Sequence, residues 1–123
     1  MTPFQYAVLR AVPRVDRGEM INIGVVLYCQ AAEFLRAVVE VDERRLVALS
    51  AELDPADVRV AGDSVVRACA EPVGSAREND GLATRFGMLT APRSTVVQPG
   101  PVHAGMTADP ARTLEQLMER LVR

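Results

Sequence analysis

Residues 20–29 read MINIGVVLYC, and no other stretch restricts the fold of this chain as strongly. Branched aliphatic and aromatic side chains pack well on a pleated surface and are stiff in a helix. At the two-residue period of a strand, Ile21, Ile23, Val25, Leu27 and Cys29 share one face, and Asn22, Gly24, Val26 and Tyr28 the other. A glycine inside such a strand reads as a bulge or a close backbone approach. Two similar runs flank it. FQYAVLRAV (4–12) stops at Pro13, which has no N–H for a ladder. FLRAVVEV (34–41) sets Leu35, Ala37, Val39 and Val41 inward against Arg36 and Glu40 outward. Only residues 30–33 separate the second and third runs, so these pair as a hairpin. The charged link PRVDRGE (13–19) also permits antiparallel pairing, which makes a meander with one apolar and one mixed face.

The apolar face needs a cover, and the middle of the chain supplies helices. DERRLVALSAEL (42–53) suits a short helix carrying Leu46, Val47 and Leu49. Asp54 followed by Pro55 is an N-cap with proline at the first helical position, after which Val58, Ala61, Val65, Ala68 and Cys69 recur at helical spacing. EPVGSARENDG (71–81) has no periodicity and reads as a flexible loop. Asp109 and Pro110 repeat the capping device before an amphipathic C-terminal helix (109–123) striped by Leu114, Leu117, Met118 and Leu121. Between them lies LTAPRSTVVQPGPVHAG (89–105), in which STVVQ (94–98) reads as a fourth strand between Pro92 and Pro99, with a Pro/Gly exit after it. The expectation is one α+β domain over 1–123: an antiparallel sheet of about four strands with helices packed on one face.

Composition narrows function mostly by exclusion. A net charge of −2 argues against a nucleic-acid domain with a broad basic face. The chain has no lysine, so a Walker-type phosphate loop is excluded, and no dinucleotide fingerprint occurs. A single histidine and the absence of Cys-x-x-Cys spacing point to no metal site, and no cofactor is expected. No apolar run reaches the roughly 18 residues that span a bilayer, and the first residues lack the pattern of a signal peptide. A cytoplasmic protein without membrane contact is expected, with Cys29 and Cys69 as buried free thiols.

Two polar groups remain as a candidate site. Arg14, Arg17, Glu19 and Asn22 surround the first hairpin, and Arg93, Ser94, Gln98 and His103 lie in and around the fourth strand. Arginine presents a planar fork suited to carboxylate or phosphate, and Ser hydroxyls supplement it. If the two groups meet, they form an anion pocket or a partner-docking patch. The alternative is surface pairing of the arginines with Asp16 and Glu19, which contributes little. His103 has the near-neutral pKa of a general base, with Ser94, Thr95 or Cys29 as conceivable nucleophiles, but no catalytic constellation is legible.

The stretches YAVLRAVPRVDRGEMINIGVVLYC, FLRAVVEVDERRL and LTAPRSTVVQPGPVHAG, followed by a final helix, resemble the bacterial family filed as domain of unknown function 3037. The signature positions are Arg14, Arg17, Glu19, Asn22, Gly24, Arg93, Ser94, Gln98, Pro99 and His103. The resemblance implies no assigned activity. It does imply that such proteins are encoded beside a kinase-like protein related to the HipA toxins, and hence a partner or regulator role. Three readings follow. One is a non-enzymatic interaction or accessory module partnering that kinase-like protein. A second is a small enzyme or sensor holding an anionic, phosphate- or carboxylate-bearing ligand through Arg17, Arg93 and His103. The third is a homodimer built on strand edges or the last helix.

Overall fold

The computed structural model describes residues 1–72, 81–93 and 95–123. Most of the 71–81 stretch, expected as a loop, and the candidate Ser94 lie outside the described residues. In chain order the elements are β1 (Thr2–Ala11), a 3-10 turn (Val15–Arg17), β2 (Ile21–Cys29), β3 (Phe34–Val39), α1 (Glu43–Leu49), α2 (Pro55–Ala70), α3 (Leu82–Leu89), β4 (Val97–Pro99), β5 (His103–Thr107) and α4 (Pro110–Leu121).

The expected α+β sheet is present and antiparallel throughout, in the order β3-β2-β1-β4. The β2–β3 hairpin closes through residues 30–33, where Glu33 takes φ +49° and donates its N–H to the Gln30 carbonyl at 3.0 Å. β4 and β5 lie end to end along the other side of β1. Val97–Pro99 pairs with Leu9–Ala11, and His103–Thr107 pairs with Thr2–Tyr6. The fourth strand is therefore shorter and later than STVVQ, and the Pro/Gly exit turns out to contain a fifth. HAGMT has a single β-branched residue, Thr107, so its strand character comes mainly from the unpaired edge of β1, which needs partners for its backbone groups.

A bulge in β2 changes the face assignment read from alternation. Leu9 pairs with Gly24 but Arg10 pairs with Asn22, so Ile23 is an extra residue. Ile21, Ile23, Val26 and Tyr28 pack with Ala7, Leu9 and Ala11 in one core cluster, while Val25, Leu27 and Cys29 join Phe4 in another. Strict alternation would have put Ile21 through Cys29 on a single face. Gly24 is required here, because a Cβ would come within 2.5 Å of the Val38 carbonyl oxygen on β3. Both readings offered for this glycine, a bulge and a close approach, hold.

The helices cover both faces. α1, α2 and α3 lie on the Leu9/Val26 side, where Leu46, Val58, Cys69, Phe86 and Leu89 are buried. That side fits the expectation of helices packed on one face. α4 lies on the opposite side and buries Leu114, Leu117, Met118 and Val122 against Val25, Leu27 and Cys29. The reason is the two-sided hydrophobicity of β2: seven of its nine residues are buried, which no single layer of helices can achieve. The N-caps are those anticipated. Asp54 accepts from the Ala56 N–H and Asp109 from the Arg112 N–H, each followed by proline. α3 was not anticipated. LATRFGML is short, contains Gly87, and starts at Gly81 without a side-chain cap, so its helicity rests on burying Phe86 and Leu89.

Candidate functional site

Arg14, Arg17, Glu19, Asn22, Arg93 and Gln98 lie near the last part of β1, and His103 lies toward its other end. Ala11 pairs with Val97, and the Val12 N–H donates to the Val96 carbonyl at 2.8 Å, so segments 12–20 and 90–96 both adjoin the sheet at this end. The first segment uses its charges internally. Arg14 Nε and an Nη donate to the Asp16 carboxylate at 3.2 and 2.8 Å, and Arg17 pairs with Glu19 at 2.7 Å. Both pairs are largely solvent-exposed, so each contributes at most about 1 kcal/mol. Asn22 has a structural contact: its Nδ2 donates to the Leu121 carbonyl at 3.0 Å, satisfying a carbonyl at the end of α4.

The second segment builds a cleft of about 290 Å³ lined by Arg10, Thr90, Arg93, Gln98, Gly100 and Val102, with Pro92, Pro99 and Pro101. Gln98 Nε2 donates to the Thr95 carbonyl, and Thr90 Oγ1 donates to the Phe86 carbonyl, so both walls are held from behind. An Arg93 Nη donates to the Met88 carbonyl at 2.9 Å while the side chain stays exposed. Arg17 does not line the cleft. His103 is exposed on β5 opposite Tyr6, with ring centroids 5.2 Å apart. Tyr6 is five residues from Ala11 along β1, about 17 Å at the rise of a strand. Of the eight candidates, the cleft brings together Arg93 and Gln98.

Arg10 was missed from the sequence, and it is the center of this cleft. It occupies the same alternate positions of β1 as Phe4, Tyr6 and Val8, in register with Gln98 on β4. Among the described residues, its Nε is the buried side-chain nitrogen left without a hydrogen-bond partner. Such a group costs about 1–3 kcal/mol and more when charged, so its presence is a property of the site rather than of the fold's stability. The guanidinium lies against Gly100, where a Cβ would come within 2.8 Å of Cζ. No acidic residue is among the described residues lining the cleft. One signal was available: an arginine continuing an otherwise apolar face of a strand.

The two thiols are free and buried, in different core clusters on opposite faces of the sheet. Burial pushes the Cys69 thiol up to about 11, only partly opposed by the charge of Arg85. Cys29 Sγ donates to the Pro3 carbonyl at 3.5 Å. The raised Cys69 thiol is the opposite of a nucleophilic cysteine, whose pKa is depressed. No helix among the described residues is long and apolar enough to cross a membrane.

No curated protein and no solved structure gives a significant match to this chain. A family model does, over nearly its whole length. The model described as "Protein of unknown function (DUF3037)" matches residues 6–122 of the 123, and the chain belongs to that family.

Proposed function

We propose that this chain is a non-enzymatic accessory module of the cytoplasm that docks on a partner protein through the Arg10/Arg93 cleft and its rim. The partner that the family resemblance implies is a kinase-like protein related to the HipA toxins, of the kind often encoded beside such proteins. One observation carries the reading: an exposed apolar side chain, Val102, lines a cationic cleft, and a second, that of Met88, belongs to the residue whose backbone anchors Arg93. Met88 is 65% and Val102 43% exposed. Exposed large apolar groups beside a polar center resemble the anchor-and-pocket composition of protein interfaces. The cationic center suits an acidic group on the partner and would set orientation as well as affinity.

The test is co-elution of the purified chain with that kinase-like neighbor. The complex is expected to form, and Arg93→Ala is expected to weaken it about tenfold, the cost of about 1.4 kcal/mol. Met88→Ser should weaken it by a smaller factor. A wild-type chain that elutes alone, or a complex indifferent to both changes, sinks the assignment.

A further inference from the structure

Whichever partner presents it, the cleft has a charge and a donor count that specify the group it takes. Arg10 and Arg93 are its two formal charges, both positive, and no carboxylate among the described lining residues offsets them. Among the other described arginines, Arg14 pairs with Asp16, Arg17 with Glu19, Arg45 with Asp42, Arg59 with Glu43, and Arg123 with Glu40, Glu115 and Glu119, while Arg36, Arg44, Arg67, Arg112 and Arg120 stand exposed to solvent; Arg10 is half-buried. This contrast matters in a chain whose net charge is −2. Two uncompensated cations have been kept together in a protein rich enough in acids to pair them.

Donor geometry gives the same answer. A guanidinium offers five N–H donors in a planar fork. Among the described residues Arg10 has no ion pair and its buried Nε has no hydrogen-bond partner, while Arg93 donates to one carbonyl. The Thr90 hydroxyl proton is already donated to the backbone, and of the two Gln98 amide protons one is donated to the Thr95 carbonyl and one remains to supplement the arginines. Gly100 leaves the space in which the Arg10 guanidinium lies against the chain. A volume of about 290 Å³ accommodates a tetrahedral anion with several waters, each about 30 Å³.

From this we infer that the cleft is a binding site for a phosphate monoester, presented as a phosphorylated side chain of the docking partner. The inference rests on the docking reading above, because it takes the same cleft as the contact point. A phosphate monoester carries −1.5 to −2 charges and three acceptor oxygens, which matches two guanidinium groups. A carboxylate carries one charge and leaves one of the two cations unneutralized. The exposed Val102 lining the cleft favors a polypeptide over a free phosphate, since a chain flanking the phosphate covers it.

Titration calorimetry on the full chain at low salt tests this with a hexapeptide of Ala and Leu residues bearing one phosphoserine. The unphosphorylated peptide, its Asp-substituted form and free O-phosphoserine complete the set. The phosphopeptide is expected to bind, the unphosphorylated form not to bind, and the Asp form to bind at least tenfold more weakly. Arg93→Ala should weaken phosphopeptide binding about tenfold, and Arg10→Met should abolish it while keeping the apolar stem of the side chain. Gly100→Ala is the control against a folding defect. Its Cβ displaces the far end of a flexible side chain, so binding should fall with the thermal midpoint unchanged. Phosphopeptide binding no tighter than that of the unphosphorylated or Asp form overturns the inference, as does full affinity in Arg10→Met. Equal affinity for free O-phosphoserine overturns the assignment to a protein-borne phosphate. If these titrations fail while the co-eluting complex persists and stays sensitive to Arg93→Ala, the phosphate is lost and the docking surface survives. If phosphopeptide binding holds while no complex forms, the reverse is true.

Discussion

The two faces of the sheet are covered in different ways, and the candidate site is a consequence. On the Leu9/Val26 face, three helices from consecutive sequence spread over β1, β2 and β3 and bury Leu46, Val58, Cys69 and Phe86. On the Val25/Leu27 face a single helix, α4, packs against β2 and β3. One helix is about 10 Å wide with its side chains, roughly two strands at their spacing of nearly 5 Å. On this face, among the described residues, the part of β1 and β4 holding Arg10 and Gln98 therefore lies beyond α4, and a cleft forms where the layer stops. A fully layered face makes core. A partly layered one leaves a bordered hollow in which a charged group can persist.

The strongest way to break this comparison is to cut equally deep into each face. Leu46 and Leu114 are 0% and 2% exposed, so Leu46→Ala and Leu114→Ala should each cost about 3 kcal/mol in urea unfolding. The difference should appear in hydrogen exchange. Leu114→Ala should release α4 while the β1–β2 ladder stays protected, because the opposite cluster is intact. Equal loss of protection across the sheet in both variants would mean that the faces are one cooperative unit. Gly24→Ala tests the strand the two faces share. Its Cβ meets the backbone oxygen of Val38, which cannot rotate away, so a loss of about 2 kcal/mol is expected in the same assay.

A pH dependence is expected on the α4 face. Arg123, just past the helix, donates to Glu40 on the sheet side at 2.8–3.1 Å and also pairs with Glu115 and Glu119. The Arg123 hydrogen bonds hold the Glu40 carboxyl below the usual carboxylate range. A carboxyl lowered in the folded state stabilizes the fold above its ordinary pKa. That contribution is lost as pH falls through the lowered value. Arg123→Ala should therefore destabilize at pH 7 and have a diminishing effect toward pH 3, read from urea midpoints at both values. A pH-independent effect would assign Arg123 a packing role only. The smallest expected difference between the faces is chemical. Cys29 on one and Cys69 on the other should both resist an aromatic disulfide reagent at pH 8 and react together on unfolding. Labeling of Cys29 alone in the native protein would show that α4 opens independently.

Much of the fold was legible because local chemistry and tertiary packing agree. The β2–β3 hairpin follows from two branched runs with a four-residue link, and Asp54-Pro55 and Asp109-Pro110 start their helices as written. What was misread has a common cause: each element depends on a distant partner. β5 is a strand because β1 has a free edge, and α3 is a helix because Phe86 stacks near Tyr28, with ring centroids 5.6 Å apart. The face reversal in β2 depends on one extra residue, invisible to a period-two count. In the site, the sequence pointed to Arg93 and Gln98 but also to Arg14, Arg17 and Asn22, whose polar groups are engaged with Asp16, Glu19 and the α4 backbone. Residue type alone does not distinguish a paired arginine from a poised one.

By itself, the sequence determined the periodicities, the caps, the breaks and the supply of charge: an antiparallel α+β protein with arginines at one end of its sheet. These are local quantities, set by side-chain shape and backbone stereochemistry within a few residues. Tertiary structure decided which face each apolar residue of β2 serves, how far α4 reaches across the sheet, and that Arg10 rather than Arg17 stands beside Arg93. Those outcomes depend on strand register and on the width of a helix against a sheet, and neither is a property of any one segment.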